Sequence, residues 1–181
     1  MLGSNLQVGL CMEKRLLHIY YGDGKGKTTA AVGLAYRCAA NGYKVLFTTF
    51  LKDKSSGECA TLGPFDVDAP EFCGKFWWEM TDDEKVCTGR EVKTQFEKIK
   101  ANISKYDMLV LDEFLDVISV GCVDKNTALE FVNSIYGKAE IIITGHEKYP
   151  VLFDIADYIT EMKKEKHPYD KGVKCRKGIE Y

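Results

Sequence analysis

The chain lacks a long apolar segment, an export signal and a cysteine-pair motif. Its 181 residues contain no apolar run near the ~20 residues that a membrane-spanning helix needs. The amino terminus shows no basic start, apolar block or small-residue cleavage site of a signal peptide. None of the seven cysteines forms a C-x-x-C pair, which argues against a zinc site and favours reduced thiols.

A strong charge of either sign is also missing. The 25 basic and 27 acidic side chains leave a net charge of −2, which gives no global reason to expect a nucleic-acid partner. A hydrophobic fraction of 45% and a charged fraction of 29% are typical of a soluble globular chain. We therefore expect a cytoplasmic protein with an N-terminal arm over residues 1–15 and a single domain over 16–181.

The most informative stretch joins an apolar run, a glycine-rich loop and a helical pattern. Leu16–Tyr21 predicts the first strand, and apolar residues at helical spacing predict a helix over 27–40. The glycines between them let backbone N–H groups point at a phosphate, and the helix presents its positive end there. Lys27 can then neutralise a phosphate oxygen, and Thr28 can ligate magnesium. The predicted phosphate-binding loop consists of Gly22, Asp23, Gly24, Lys25, Gly26, Lys27, Thr28 and Thr29.

A glycine turn before an ordinary helix is the alternative interpretation of this stretch. The sequence Lys-Thr-Thr at the helix start favours a nucleotide-binding loop instead. The loop is one residue tighter than the common form, because Tyr21 stands where a glycine is usual. Lys44–Phe50 predicts a second strand, so that strand, helix and strand form a parallel βαβ unit. We expect an α/β fold of the P-loop NTPase-like class, with a mostly parallel sheet flanked by helices on both faces.

An acidic pair follows a second apolar strand. Met108–Leu111 predicts this strand, and Asp112 and Glu113 come directly after it. The carboxyl ends of parallel strands share one edge of the sheet, so these acids are expected beside the glycine loop, where they can hold magnesium near a nucleotide. Between the two motifs, a capping box that starts at Thr81 predicts a helix, which Gly89 is expected to break or kink.

Two other stretches allow less definite interpretations. Residues 64–81 are irregular and contain Phe76, Trp77 and Trp78. Aromatic residues in such a segment either plug the core or form a ligand platform, and both interpretations stay open. The segment 163–181 carries many lysines, which predicts a solvated charged tail.

Several motifs together resemble the P-loop type of ATP:corrinoid adenosyltransferase. They are GDGKGKTT at 22–29, F-x-W-E at 76–79, LDE at 111–113, ITG at 143–145 and the ending KHPYDKGVKCRKGIEY at 166–181. The resemblance covers about residues 16–181. The compressed glycine loop and the K-H-x-[FY]-D-x-G-V-K ending are specific to that family, whereas the other motifs are shared with many nucleotide-binding proteins.

The resemblance implies that a corrinoid reduced to cobalt(I) attacks the 5′-carbon of ATP and expels triphosphate. Cobalt(I) is a strong enough nucleophile to need no protein base, so the protein supplies charge neutralisation and positioning. Lys27, Thr28 and Glu113 are the expected catalytic residues, and the whole loop from Gly22 to Thr29 is expected to bind ATP. Arg37, on the helix after the loop, is a further candidate contact for the phosphate end.

The same resemblance implies a metal site and a corrinoid site. Magnesium is expected on Thr28, Asp112 and Glu113, and the corrinoid is expected against Phe76 and Trp78, which displace the lower axial ligand of cobalt. The expected substrates are ATP and cobalamin or cobinamide. A homodimer is expected, a flavoprotein is one candidate electron donor, and neither nucleic acid nor membrane is an expected partner.

Four residues depart from the family pattern. Asp23 stands where asparagine is common, Cys59 and His146 where arginine is common, and Trp77 where a small polar residue is common. An acid beside a polyphosphate needs an offsetting charge, which magnesium or Lys25 would supply. These departures keep two alternatives open, a P-loop ATPase or kinase-like enzyme and a non-catalytic protein that binds nucleotide or corrinoid.

Overall fold

The computed structural model describes residues 12, 14–52, 64–70, 75 and 77–179. Most of the predicted N-terminal arm, and both Cys59 and Phe76, lie outside the described residues. The strands are β1 Leu17–Tyr21, β2 Val45–Thr49, β3 Asp66–Asp68, β4 Met108–Asp112, β5 Glu140–Gly145 and β6 Tyr158–Glu161. The helices are α1 Lys27–Ala40, α2 Asp82–Asn102, α3 Phe114–Ser119, α4 Lys125–Ile135 and α5 Pro150–Phe153, with short 3₁₀ helices at Trp77–Glu79, Ile103–Lys105 and Pro168–Lys171.

The strands form one sheet in the order β3-β2-β4-β5-β1-β6. Every recorded strand pair is parallel, so each connection between neighbours must cross from one edge of the sheet to the other. This arrangement confirms the predicted α/β fold class. It also brings the carboxyl ends of β1, β2, β4 and β5 to one edge, where ligands bind in such folds.

The core lies on both faces of the sheet, because successive strand residues point to opposite sides. On one face, Ala31, Ala35 and Cys38 of α1 pack with alternate residues of β2, β4 and β5. On the other face, α2, α3, α4 and α5 cover the remaining strand residues, including Leu109 and Ile143. Burial on both faces explains why β2 and β4 each begin with consecutive apolar residues.

Local sequence signals set the ends of the longer helices. The Thr81 side chain accepts from the Glu84 N–H, and the Glu84 carboxylate accepts from the Thr81 N–H, so the predicted capping box is present. The prediction of a break at Gly89 was wrong, since α2 continues to Asn102. A Cβ at position 89 would lie 3.2 Å from the Cys122 carbonyl oxygen, so glycine there allows a close approach between segments.

The described part of the segment 64–81 is more regular than its sequence indicates. It contributes β3, a three-residue strand that pairs with β2 at the edge of the sheet, and a 3₁₀ turn at Trp77–Glu79. A strand this short carries too little hydrophobic pattern to be predicted, and its pairing with β2 defines it. Within the described part of the chain, no helix is both long and apolar enough to span a membrane.

Candidate nucleotide and metal site

The predicted glycine loop runs from the carboxyl end of β1 to the amino end of α1. Gly26, directly before α1, has a φ of 114°, a left-handed conformation that favours glycine. The first N–H groups of a helix have no intrahelical partners, and the helix dipole adds positive potential at this end. The loop therefore presents backbone donors where the sequence predicts a polyphosphate.

The residues after β6 cross the glycine loop and are hydrogen-bonded to it. We call Met162–Lys164 the crossing segment. Gly24 N–H donates to the Met162 carbonyl oxygen at 2.6 Å, and Met162 N–H donates to the Tyr21 carbonyl oxygen at 2.7 Å. Gly24 is glycine because a Cβ there would lie 2.5 Å from the Met162 carbonyl oxygen. The crossing segment thus fixes one side of the loop.

The crossing segment also accounts for Asp23. The Lys164 backbone N–H donates to Asp23 Oδ1 at 3.0 Å, and this hydrogen bond lowers the pKa of Asp23 from its ordinary value. The acid therefore stays ionised and has a partner of its own. The expected offset by Lys25 is not needed for this contact, because a backbone donor from 141 residues further along the chain provides it.

The tight contact at Gly24 leads to a stability prediction with a matched control. Gly24→Ala should lower the free energy of unfolding by about 1–3 kcal/mol, because the new methyl group displaces the crossing segment. Gly33→Ala should raise it by about 0.5–1 kcal/mol, because Gly33 lies inside α1 with open space around its Cβ position. Urea denaturation of both variants measures the difference, and equal effects would contradict the role of the crossing segment.

Lys27 folds back onto the loop that precedes it. Its Nζ donates to the carbonyl oxygens of Gly22 at 2.7 Å and Gly24 at 2.9 Å. Burial lowers the pKa of Lys27, and the nearby carboxylates of Asp116, Asp23 and Asp112 oppose that shift. The ammonium group is therefore held at the loop by backbone acceptors, which a phosphate oxygen could replace.

Asp112 connects the two sequence motifs. Its side chain is fully buried at the end of β4, and its Oδ1 accepts from Thr28 Oγ1 at 2.8 Å and from Thr144 Oγ1 at 2.7 Å. Its Oδ2 accepts from Lys52 Nζ at 3.0 Å. Because β5 separates β4 from β1, Thr144 of β5 stands between the acid and the strand that leads to the loop. The structure thus brings together Thr28 and Asp112, as the sequence predicts.

Glu113 lies beside this buried acid in a conformation uncommon for its residue type. Its φ is 62°, in the left-handed region, and its N–H donates to Thr144 Oγ1 at 2.9 Å. Burial, together with the neighbouring Asp112 and Asp116 carboxylates, raises the pKa of Glu113 to about 7, although Lys52, 3.2 Å from Oε1, acts to lower it. A carboxylate in this setting gains most from a nearby cation.

The oxygen groups of this cluster suit magnesium. Within the described ranges, no group of three or more acidic, histidine or cysteine side chains forms a metal cage. Magnesium needs none, because it usually keeps several waters and takes one or two carboxylates together with substrate phosphates. The Thr28 hydroxyl, the Asp112 and Glu113 carboxylates and the short Thr28–Asp112 contact fit that donor set.

A cavity of about 180 Å³ lies against the second half of the loop and Glu113. Its lining includes the predicted residues Lys25, Gly26, Lys27, Thr28, Thr29 and Glu113, and also Lys52, Asp116, Thr144, Gly145, His146 and Ile179. Ile179 shows that the basic tail, although exposed, turns back to the cavity. The second half of the predicted loop and Glu113 therefore share one cavity.

Arg37 is not brought to this cavity. It lies in the last turn of α1, ten residues beyond Lys27, and a helix rises 1.5 Å per residue, which places it roughly 15 Å along the axis. The structure therefore places Arg37 outside the lining of this cavity, and its contact with the phosphate end stays a prediction. The physical reason is that the phosphate-binding end of α1 is its amino end.

The sequence left open whether the aromatic residues of this segment plug the core or form a ligand platform, and the two tryptophans differ in this respect. Trp77 is partly buried and packs against the larger core cluster, whereas Trp78 is 76% exposed. Trp77 is thus a core contact. Trp78 exposes most of its side chain, and Phe76, its predicted partner, lies outside the described residues.

Sequence reasoning missed Lys52, Asp116 and Thr144 as site residues. Each follows or ends an element at the carboxyl edge of the sheet: Lys52 after β2, Thr144 in β5, and Asp116 in the first turn of α3. Asp112 was identified because the carboxyl ends of parallel strands lie at one edge of the sheet. The same reasoning would have selected these three residues if strand order had been known. Strand order was the missing information, since the sequence does not show that β5 lies between β4 and β1.

His146, a departure from the family pattern, is paired with Asp116. Asp116 Oδ1 accepts from the His146 backbone N–H and contacts its Nδ1, both at 3.0 Å. This hydrogen bond raises the pKa of His146 above its ordinary 6.5. The group at position 146 is therefore cationic over a wider pH range than a free histidine, which partly replaces the expected arginine.

The His146–Asp116 pair predicts a pH dependence. Because the folded-state pKa of His146 is raised, the pair stabilises the fold fully below pH 6.5, and this contribution is lost as pH rises through the folded-state pKa. The effect should be small, since the imidazole is 60% exposed. An NMR titration should place the His146 pKa above 6.5, and Asp116→Asn should lower it; an identical curve in the variant would contradict the pairing.

The parallel sheet and the glycine loop between β1 and α1 define a P-loop-like α/β protein. The family described as ATP:corrinoid adenosyltransferase BtuR/CobO/CobP matches residues 13–181. The chain belongs to this family of enzymes, whose description names ATP and a corrinoid as the reactants.

Individual relatives agree with this assignment. The chain is 31% identical over 170 residues to the corrinoid adenosyltransferase CobA of Salmonella typhimurium, covering 93% of this chain and 87% of that protein. It is 31% identical over 171 residues to the corrinoid adenosyltransferase of Escherichia coli K12, with the same coverage. The corrinoid adenosyltransferase of Pseudomonas aeruginosa is 27% identical over 172 residues, covering 93% and 85%.

A solved structure supports the fold alone. The flagellar accessory protein FlaH from Methanocaldococcus jannaschii matches with a TM-score of 0.51 and 18% sequence identity. The match covers 81% of this chain and 70% of that chain. At this identity the likeness concerns the arrangement of strands and helices.

Proposed function

We propose that this protein transfers the 5′-deoxyadenosyl group of ATP to the cobalt of a reduced corrinoid and releases triphosphate. The family that matches residues 13–181 supports the reaction. The observation that carries the proposal into this chain is the cavity lined by Lys27, Lys52 and Glu113 at the amino end of α1. The buried Asp112 accepts hydrogen bonds from Lys52 and Thr28 of this lining. Positive charge there suits a polyphosphate leaving group.

The reaction needs no proton transfer from the protein. Cobalt(I) donates an electron pair to the 5′-carbon, the new cobalt–carbon bond forms, and the bond from that carbon to the triphosphate oxygen breaks. The leaving triphosphate takes the bonding electrons, so its negative charge must be stabilised. Lys27 and the donors of the loop would do this, with Thr28 and Glu113 as the other catalytic residues.

Not every loop donor is available for ATP. Gly22 N–H donates to the His146 carbonyl oxygen and Gly24 N–H to that of Met162, so both amides already have partners. The triphosphate is therefore expected on the second half of the loop, where α1 begins, because the first N–H groups of a helix have no intrahelical partners. Lys27 would exchange its carbonyl partners for phosphate oxygens.

Magnesium would be held by Thr28, Asp112 and Glu113. It would supply neutralisation of the polyphosphate charge. The protein's part is to hold the buried Asp112 carboxylate in place through two threonine hydroxyls, with Lys52 on its other oxygen in the free protein. We also propose that residues 16–181 act as one adenosyltransferase domain in a cytoplasmic homodimer, with a flavoprotein as electron donor.

A single anaerobic reaction tests the proposed function. Reduced cobalamin or cobinamide, magnesium, ATP and the protein are combined, the absorbance is followed and the phosphate products are identified. Adenosylcorrinoid together with triphosphate is the expected result. ADP and phosphate with an unchanged corrinoid spectrum would instead identify an ATPase, and no turnover with retained ligand binding would identify a binding protein.

Trp78 is proposed to contact the corrinoid, and its substitution tests this role. Trp78→Ala should lower kcat for adenosylation by about tenfold or more while the dissociation constant for ATP stays within about twofold. Trp77→Ala is the matched control, because Trp77 packs against the core and its loss should lower the free energy of unfolding instead. Equal losses of adenosylation and ATP binding in Trp78→Ala would count against a corrinoid platform.

A further inference from the structure

Lys52 occupies the position between the two acidic side chains. Its Nζ lies 3.0 Å from Asp112 Oδ2 and 3.2 Å from Glu113 Oε1. The Asp112 side chain is fully buried, whereas Lys52 is 32% exposed and enters from the cavity side. A single ammonium group thus bridges two neighbouring carboxylates at the place where the sequence predicts a divalent cation.

The repulsion between Asp112 and Glu113 explains why Lys52 bridges them. Two carboxylates at adjacent positions repel each other, and burial removes the water that would screen them. One unit of positive charge offsets only part of this repulsion. A divalent cation would offset more, so the carboxylate pair favours replacement of the ammonium group when such a cation arrives.

The same lysine also faces the phosphate-binding loop. Lys52 lines one cavity with Lys27 and Thr28. Two ammonium groups in one small cavity repel each other, and an anion placed between them would remove this repulsion. Lys52 therefore has a second favourable partner within the same cavity.

We propose that Lys52 is a positioning residue that exchanges partners during substrate binding. In the free protein its ammonium group holds Asp112 and Glu113 together in place of a divalent cation. When magnesium and ATP enter, the ammonium group leaves the carboxylates for the polyphosphate. This proposal deepens the proposed function and rests on ATP as the ligand of the cavity.

The exchange predicts opposite effects on two affinities when Lys52 is replaced. Lys52→Met should raise the affinity of the free protein for Mn²⁺ about tenfold, because the competing ammonium group is gone. The same variant should lower the affinity for a fluorescent ATP analogue in EDTA about tenfold, because a cationic partner of the polyphosphate is lost. If Lys52 had only a structural role, its replacement would change both affinities in the same direction or would change neither.

The experiment measures Mn²⁺ binding by electron paramagnetic resonance without nucleotide, and analogue binding by fluorescence with EDTA. Lys52→Arg keeps the charge and should stay near the wild-type protein in both. Lys44→Met, at the opposite end of β2, controls for the loss of one positive charge. Lys52→Gln is measured in parallel, and thermal unfolding shows that each variant is folded.

Unchanged Mn²⁺ affinity in folded Lys52→Met and Lys52→Gln would overturn the proposal, and so would a parallel fall of both affinities. Neither titration contains a corrinoid, so the result does not depend on adenosyl transfer. The two proposals can therefore fail separately. If the anaerobic reaction gave no adenosylcorrinoid while the two affinities shifted in opposite directions, the proposed function would be rejected and the exchange by Lys52 would be retained.

Discussion

Lys27→Ala is expected to lower kcat/KM for ATP about 100- to 1,000-fold. Lys27 contributes an ammonium group at the loop, held by the carbonyl oxygens of Gly22 and Gly24 and partly buried. In a cavity of low dielectric constant, a fixed positive charge stabilises the departing triphosphate more than it would in water. Steady-state adenosylation under anaerobic conditions, with ATP varied at saturating reduced corrinoid, measures the loss.

Lys25→Ala provides the comparison for this prediction. Among the described contacts, two loop carbonyl oxygens accept hydrogen bonds from Lys27, and none of these contacts is made by Lys25. Lys25 is exposed on the same loop and lines the same cavity. Its loss should cost less than about tenfold, as for an exposed and screened charge. Similar losses in the two variants would show that the loop acts through its total charge and not through the placement of Lys27.

Asp112→Ala is expected to have the second large effect, because it removes the acceptor of three hydrogen bonds. Thr28, Thr144 and Lys52 all donate to this fully buried carboxylate. Its removal should lower the free energy of unfolding by about 3 kcal/mol, at the low end for a broken buried pair because Lys52 keeps some contact with solvent. Urea denaturation measures this loss.

Asp112→Asn separates structure from charge. The amide keeps the size of the side chain and one acceptor oxygen for the threonine hydroxyls, so most of the stability should remain. The negative charge needed for a divalent cation is lost, and metal-dependent ATP binding should fall about tenfold or more. Full metal-dependent binding in a folded Asp112→Asn variant would exclude Asp112 from the proposed metal site.

The ends of the buried strands and the longer helices were predictable because local rules define them. The glycines, lysines and hydroxyls of Gly22–Thr29 lie close together in sequence, and apolar residues at helical spacing define α1. The capping box at Thr81 is likewise a contact between near neighbours in sequence. By contrast, β3 was missed because only its pairing with β2 makes it a strand.

The partners of the site residues were predictable only in part. The edge rule placed Asp112 and Glu113 beside the loop, and the hydrogen bond between Thr28 and Asp112 agrees with this placement. The same rule could not select Thr144, because the position of β5 between β4 and β1 is a property of strand order. The roles of these residues in binding and catalysis stay predictions until the experiments above are made.

The sequence by itself determined the functional groups of the candidate site, namely a glycine loop with Lys27 and Thr28 and an acidic pair after a buried strand. Its motifs, including the C-terminal one, also indicated the family. Tertiary structure alone decided how these parts meet. It set Lys52 between the two acids, Thr144 against Asp112 and the crossing segment over Asp23 and Gly24. The reason is physical: hydrogen bonds within a turn depend on neighbouring residues, whereas contacts between strand ends depend on which strands pair across the whole chain.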